Sequence, residues 1–189
     1  MVTLTHRNPP DREESRRWAQ GLLERSDWAI LDTETTGLDA TAEVIQIAVL
    51  GPDGTCLMDT LVRPLGRIPS DAVAIHGIND KKVAAAPPYS EIHSRLIETL
   101  QGRRLIAYNA QFDRRLLRQT ANQNGLWEIP NQWDCAMEQY ARFVGQWNSR
   151  RGSYAWQPLP RPDSPPGYKH QAIDDCLATL AVIRRMAQE

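Results

Sequence analysis

A mixed α/β sheet flanked by helices is the fold class predicted for this chain, on three observations. Three apolar runs come first, Trp28–Leu31, Val44–Leu50 and Cys56–Val62, with Pro52-Asp53-Gly54 between the last two. That order reads as an antiparallel meander containing a hairpin turn. The periodicity then becomes helical, with Ile92, Leu96, Ile97 and Leu100 on one stripe, before the short apolar run Leu105-Ile106-Ala107-Tyr108. The chain closes on a strongly helical segment, Gln171 to Gln188. At 189 residues these elements suit one packed domain rather than two.

Taken in order, residues 11–25 form a helix with Trp18, Leu22 and Leu23 as its apolar stripe, packing at the edge of the core. Residues 1–25 are therefore expected to be a helical extension to a main domain over 26–189. Ile30 and Leu31 favour a buried strand, and Gly37 permits a sharp turn after it. Ser70-Asp71 can cap a short helix, and Asn79 another that ends before Pro87-Pro88. Ser90 to Gln101 is amphipathic and stops at Gly102. Phe112 to Gln123 and Asp134 to Val144 are expected as further helices. Residues 145–169 contain prolines 158, 160, 162, 165 and 166, which exclude a regular element and predict a loop. This loop carries Trp147, Tyr154, Trp156 and Tyr168 among Arg150, Arg151, Arg161 and Lys169, with Asp163 as its acid. Aromatic and basic residues together suit a single nucleic-acid strand, although such a loop also buries its rings simply to pack.

The formal net charge of −1 excludes a broadly basic surface of the kind that coats duplex DNA. It leaves open a protein that grips a few nucleotides through metals and local arginines. Cys56, Cys135 and Cys176 lie far apart in no metal-ligand spacing, and read as buried free thiols suited to a reducing cytoplasm. Met1 to Arg17 lacks the apolar core of a signal peptide, and no run reaches the roughly 20 apolar residues of a membrane span. A cytoplasmic location is expected.

Chemistry concentrates at three acidic stations. Asp32 and Glu34 end the first strand two residues apart, so both carboxylates face the same side. Like charges that close resist ionisation unless a cation sits between them, which points to a divalent metal. Asp113 lies at a helix start after a strand, in Asn109-Ala110-Gln111-Phe112-Asp113. His170, Asp174 and Asp175 open the final helix. Each alone has a plainer reading: a solvated strand end, a helix cap, a surface histidine.

In this order the three segments Asp32-Thr33-Glu34-Thr35-Thr36-Gly37-Leu38, Asn109–Asp113 and His170-Gln171-Ala172-Ile173-Asp174-Asp175 resemble the motifs of the DEDDh 3′–5′ exonucleases. That superfamily includes the proofreading subunit of bacterial DNA polymerase III, RNase T and oligoribonuclease. Ile75-His76-Gly77-Ile78 resembles a further segment of these enzymes, and Asp134 sits where they often have an acid. The resemblance spans about residues 26–187 and implies an RNase H-like fold. It also implies two Mg²⁺ or Mn²⁺ ions, with Asp32 bridging both, Glu34 and Asp175 holding one and Asp113 the other. His170 would act as general base, since free imidazole titrates near pH 6.5. The family spacing selects Asp175 over Asp174. Helix projection agrees, placing Asp175 at the edge of the buried stripe of Ala172, Cys176, Leu180, Ile183 and Ala187.

The implied activity is hydrolysis of single-stranded nucleic acid from its 3′ end to nucleoside 5′-monophosphates, as in DNA repair and proofreading, with DNA favoured over RNA. An RNA-processing exoribonuclease is the nearest alternative. Thr35, Gly37, Leu38, His76, Asn109 and Phe112 are the implied substrate contacts. Phe112 is equally suited to the core, and Arg114 and Arg118 suit either phosphates or a solvated helix face. A haloacid-dehalogenase-type phosphatase would want Asp at position 34 and would leave the later motifs unexplained. An inactive nucleic-acid-binding module would require a lost carboxylate or base. The chain ends near its last helix, so no long polymerase-binding tail is expected, and either a monomer or a homodimer is compatible.

Overall fold

The structure is a computed structural model that describes residues 4–6, 9–161 and 169–189. Its elements in chain order are β1 (Leu4–His6), α1 (Pro9–Leu23), β2 (Trp28–Thr35), β3 (Val44–Leu50), β4 (Cys56–Leu61), α2 (Ser70–His76), α3 (Asp80–Val83) and α4 (Tyr89–Leu100). Then come β5 (Arg104–Ala107), α5 (Ala110–Gln123), β6 (Trp133–Cys135), α6 (Ala136–Val144), β7 (Gln146–Asn148), β8 (Ser153–Tyr154) and α7 (Ala172–Gln188). The main sheet runs β4-β3-β2-β5-β6. β2, β3 and β4 form the expected antiparallel meander, while β5 and β6 run parallel to β2.

Strand parity decides which face each residue serves. Trp28 and Ile30 of β2 pack with Ala48, Leu50 and Ile106 under α1, α6 and α7. Ala29 and Leu31 pack on the other face with Ile47, Val49 and Leu105 under α4 and α5. Both faces are apolar, which is why β3 is buried along its whole length. The Trp28 indole N–H donates to the Leu22 carbonyl at 2.7 Å, tying the end of α1 to β2. α1 supplies Ala19 and Leu22 to the core itself.

Several expectations are corrected. Ser70 is the first residue of α2, whose N-cap is Pro69 without a side-chain cap bond, so the Ser70-Asp71 cap is absent. The stretch 145–169 is not all loop. β7 and β8 pair as a hairpin before the first proline, and β1 adds to its other edge. Prolines restrict only their own neighbourhood, and these begin at residue 158. Pro162 to Tyr168, including Asp163, lie outside the described residues. β6 precedes α6 inside the run read as one helix from Asp134. Cys56 is exposed and Cys135 half-buried, so only Cys176 is a buried thiol. Gly37 adopts no left-handed backbone, so the turn after β2 does not demand it. Among the described residues no helix is long and apolar enough to cross a membrane.

Candidate active site

β2 is the central strand, and its carboxyl end lies beside that of its parallel neighbour β5. Asp32 and Glu34 continue the parity of Trp28 and Ile30, so they emerge on the face that α7 covers. Register slips between Glu34 and Thr35, where β3 holds an extra residue, and pairing with β3 ends just beyond this bulge. Thr33 has the opposite parity and donates its hydroxyl to Asp113 Oδ1 at 2.8 Å, fixing the first turn of α5 against β2. Asp175, in the first turn of α7, is buried like Asp113, whereas Asp174 is exposed. The buried Gln46 side chain sets where α7 begins. Its Oε1 accepts from the Ala172 amide at 3.4 Å and its Nε2 donates to Asp59 at 2.9 Å.

Glu34, His170 and Asp175 each offer a ligand atom, and these atoms lie within 4.8 Å of one another. Burial, then the charges of Asp113, Asp175 and Glu34, raise the Asp32 carboxyl well above its usual range. Glu34 is pushed up to about 8, first by burial and then by Asp175. Burial raises Asp113 as well, against the pull of the Thr33 hydroxyl. Four carboxylates so placed call for positive charge, and all their donors are oxygen. That is the donor set of a hard divalent cation.

A counter-charge lies against them. Arg161 donates through Nε to Asp175 Oδ1 at 2.7 Å and through a terminal nitrogen to Oδ2 at 2.6 Å. The same terminal nitrogen lies 3.3 Å from His170 Nδ1. Sequence reading placed Arg161 only among the basic residues of the loop, because a proline-rich segment has no periodicity to aim a side chain. Thr33 was also missed, although parity alone turns it toward the helix that carries Asp113.

The expected substrate contacts are scattered. Leu38 is 77% exposed, and its carbonyl accepts from Arg115. Asn109 is exposed and makes no side-chain cap, while its carbonyl accepts from the Phe112 and Asp113 amides. Phe112 is half-buried against the α4–α5 core. The Thr35 hydroxyl is spent on the Gly37 carbonyl. The Thr36 amide donates to the Glu43 carbonyl, so it is not available to a ligand. Arg114 pairs with Glu128 at 2.8 Å. Asp134 accepts from Trp18 and Arg104 and ties α1 to the sheet edge. His76 is buried; its Nδ1 accepts from the Ile78 amide. Among the described residues its Nε2 reaches no partner at hydrogen-bond geometry, although the nearby Thr35 backbone favours the protonated ring. Burial outweighs that and lowers its pKa.

The profile of the RNase_T exonucleases matches residues 29–183, a span that holds all three acidic stations. The chain belongs to this exonuclease family. It is 33% identical over 187 residues to an uncharacterized exonuclease, CP81, of Escherichia phage 186, covering 93% of each chain. It is 33% identical over 163 residues to Exodeoxyribonuclease 10 of Escherichia coli K12, covering 82% of this chain and 66% of that one. The solved Exonuclease X in complex with 5′-overhanging duplex DNA superposes with a TM-score of 0.59 at 32% identity, over 84% of this chain and 90% of that one. The nuclease domain of 3′hExo, a DEDDh family member, shares the fold with a TM-score of 0.60 at 14% identity, over 86% and 92% of the two chains. The chain is thus an RNase H-like, metal-dependent exonuclease, and the phosphatase reading falls away.

In this exonuclease the C-terminal turn of α2 seats the segment that carries His170. The Ile75 carbonyl accepts from the His170 amide at 3.2 Å and the His76 carbonyl from Gln171 Nε2 at 3.1 Å; Lys169 Nζ bonds to Ala74. Gly77 caps α2 with φ 71°, and a Cβ there would meet Lys169 Cγ at 3.4 Å. Gly77→Ala is expected to cost about 1 kcal/mol for the left-handed backbone. It should also lower turnover by shifting residues 169–171, while Mn²⁺ affinity changes little. Thermal melts, titration calorimetry and kcat on one preparation check this.

Proposed function

We propose that this exonuclease removes nucleotides from the 3′ end of single-stranded DNA and releases nucleoside 5′-monophosphates. Two divalent cations, Mg²⁺ or Mn²⁺, would be held by Asp32, Glu34, Asp113 and Asp175. The observation that carries the reading is the meeting of Glu34, His170 and Asp175 within 4.8 Å beside two further carboxylates raised by burial. The cations, when bound, would neutralise the scissile phosphate and the leaving oxygen.

The chain's own residues divide the remaining work. His170 lies at the rim with its side chain 39% exposed, where it can take a proton from an attacking water. Asp113 is oriented by Thr33, and Asp175 by its place on α7 behind Gln46 and Ala172. The terminal nucleotide would lie against the turn after β2. Among the described residues a Cβ on Gly37 would meet only Ala42 Cβ, at 3.9 Å, so none of them needs glycine there. Close approach of a ligand to the backbone supplies the need. DNA is favoured over RNA because Exodeoxyribonuclease 10 and the DNA-bound Exonuclease X are relatives at 33% and 32% identity. An open groove of about 680 Å³ beside α5, lined by Arg114, Arg115 and Arg118 but also by Asp134 and Glu138, would give the strand a path beyond its last nucleotide.

The test is a time course on 5′-labelled single-stranded DNA, its RNA counterpart and a 5′-overhanging duplex, with Mg²⁺, Mn²⁺ or EDTA. A ladder shortening from the 3′ end on DNA, abolished by EDTA, is expected. Faster shortening of RNA would move the substrate to RNA, whose 2′-OH is the group a contact must tell apart. Products bearing a 3′-phosphate would overturn the proposed bond cleavage.

A further inference from the structure

Arg161 reaches the site on an anchored segment. The Gln157 carbonyl accepts from the Tyr108 hydroxyl at 2.7 Å, the Ala155 amide donates to the Gln146 carbonyl at 2.6 Å, and Leu159 packs on the core under α7. From that base the guanidinium forks onto both oxygens of Asp175, with the two side chains only 25% and 8% exposed. A planar fork on a carboxylate is the strongest pairing an arginine makes, and it uses both oxygens at once. The terminal nitrogen that holds Oδ2 also borders His170 Nδ1. Arg161 thereby engages two of the three groups that lie within 4.8 Å of one another, and its charge favours the ionised forms of Asp32 and Glu34.

We propose that Arg161 is an internal counter-cation, a latch that pairs with Asp175 and His170 in the metal-free protein and that an incoming divalent cation must displace. The inference rests on the metal-site reading of the carboxylate cluster. The one positive charge of a guanidinium compensates four carboxylates only in part. A divalent ion gains more from the same oxygens, but its binding is weakened by the energy of breaking the fork. Metal loading then frees His170 from the guanidinium and turns a positive side chain toward the cleft where phosphate enters.

The experiment is a titration of wild type, Arg161→Ala and Arg161→Lys with Mn²⁺ alone at about pH 8.5, with melting temperatures in EDTA and at saturating Mn²⁺. Arg161→Ala is expected to bind Mn²⁺ roughly tenfold more tightly, the ratio given by about 1.4 kcal/mol. Arg161→Lys keeps the charge without the fork and should fall between the two. The alanine variant should also melt lower than wild type in EDTA, with the gap closing at saturating Mn²⁺. Equal or weaker Mn²⁺ binding by Arg161→Ala, with wild type binding normally, overturns the latch. An equal loss of melting temperature in both conditions also overturns it, because the pair would then be structural. Failure of wild type to bind Mn²⁺ overturns the metal site, and the latch with it.

Discussion

Asp32→Asn is expected to cut turnover by about two orders of magnitude or more and yet to make the metal-free protein more stable. Asp32 sits among Asp113, Asp175 and Glu34, and both burial and those charges oppose its ionisation. A carboxyl whose pKa is raised on folding stabilises the folded state below its unfolded pKa and loses that contribution as pH rises through the folded value. For this cluster the loss runs from the ordinary values, 3.8 for Asp and 4.5 for Glu, up to about 8 for Glu34. His76 works the other way, because its lowered pKa adds stability as pH rises toward the ordinary 6.5. The difference between variant and wild type cancels that contribution. In EDTA the melting temperature of Asp32→Asn should exceed that of wild type, and the excess should grow between about pH 5.5 and 8.5. Asp32 keeps partial exposure, so a gain of about 2 kcal/mol is the scale to expect, or roughly 4–8 °C for a chain of this size. Saturating Mn²⁺ should reverse the order, since only an intact ligand set gains fully from binding. Turnover should fall by about 10²–10³-fold or more, the scale of losing one preorganised charge-stabilising group. Scanning calorimetry over pH, with and without Mn²⁺, and kcat on single-stranded DNA test both halves. A wild type that melts higher than Asp32→Asn in EDTA at every pH would remove the strained-cluster account.

The fold was readable where burial and period agree. β2, β3 and β4 are apolar runs joined by short turns, and α4 repeats its apolar positions through Ile92, Leu96 and Leu100. Elements too short to show a period escaped. β1, β6, β7 and β8 are two or three residues each, and they exist because a neighbouring strand already offers unpaired N–H and C=O groups. The hairpin of β7 and β8 was hidden for a second reason, since prolines further along dominated the composition of its segment.

The candidate site divides along the same line. Asp32 with Glu34, Asp113 and Asp175 are each placed by a regular element: strand parity puts the first two on one side, helix phase puts Asp175 at the buried edge, and Asp113 stands at a helix start within its motif. Family spacing and helix phase together chose Asp175 over Asp174, and the structure buries the first and exposes the second. Arg161 comes from an irregular segment, and only the tertiary path past Tyr108 brings it to Asp175. The carbonyls of Ile75 and His76 hold the His170 segment, and a carbonyl carries no side-chain signature in a sequence.

His170→Ala separates two roles that the geometry alone leaves together. The imidazole lies with Glu34 and Asp175 within 4.8 Å, which would suit a third metal ligand as well as a general base. Ligand chemistry favours the base. Hard Mg²⁺ and Mn²⁺ prefer oxygen, and Asp32, Glu34, Asp113 and Asp175 supply it without the histidine. Position favours it too, because His170 precedes α7 at the rim, 39% exposed, where water and product can reach it. The variant should therefore lose about 10²–10⁴-fold in kcat, the range for a positioned proton acceptor. Its affinity for Mn²⁺ should stay within a factor of about two, and KM should change little. Free imidazole added to the assay should restore part of the lost turnover, because the vacated rim is open to solvent. A tenfold or larger loss of Mn²⁺ affinity would instead make His170 a ligand. It would shift the proton acceptor to another group at the cleft, and no rescue by imidazole would then be seen at saturating metal.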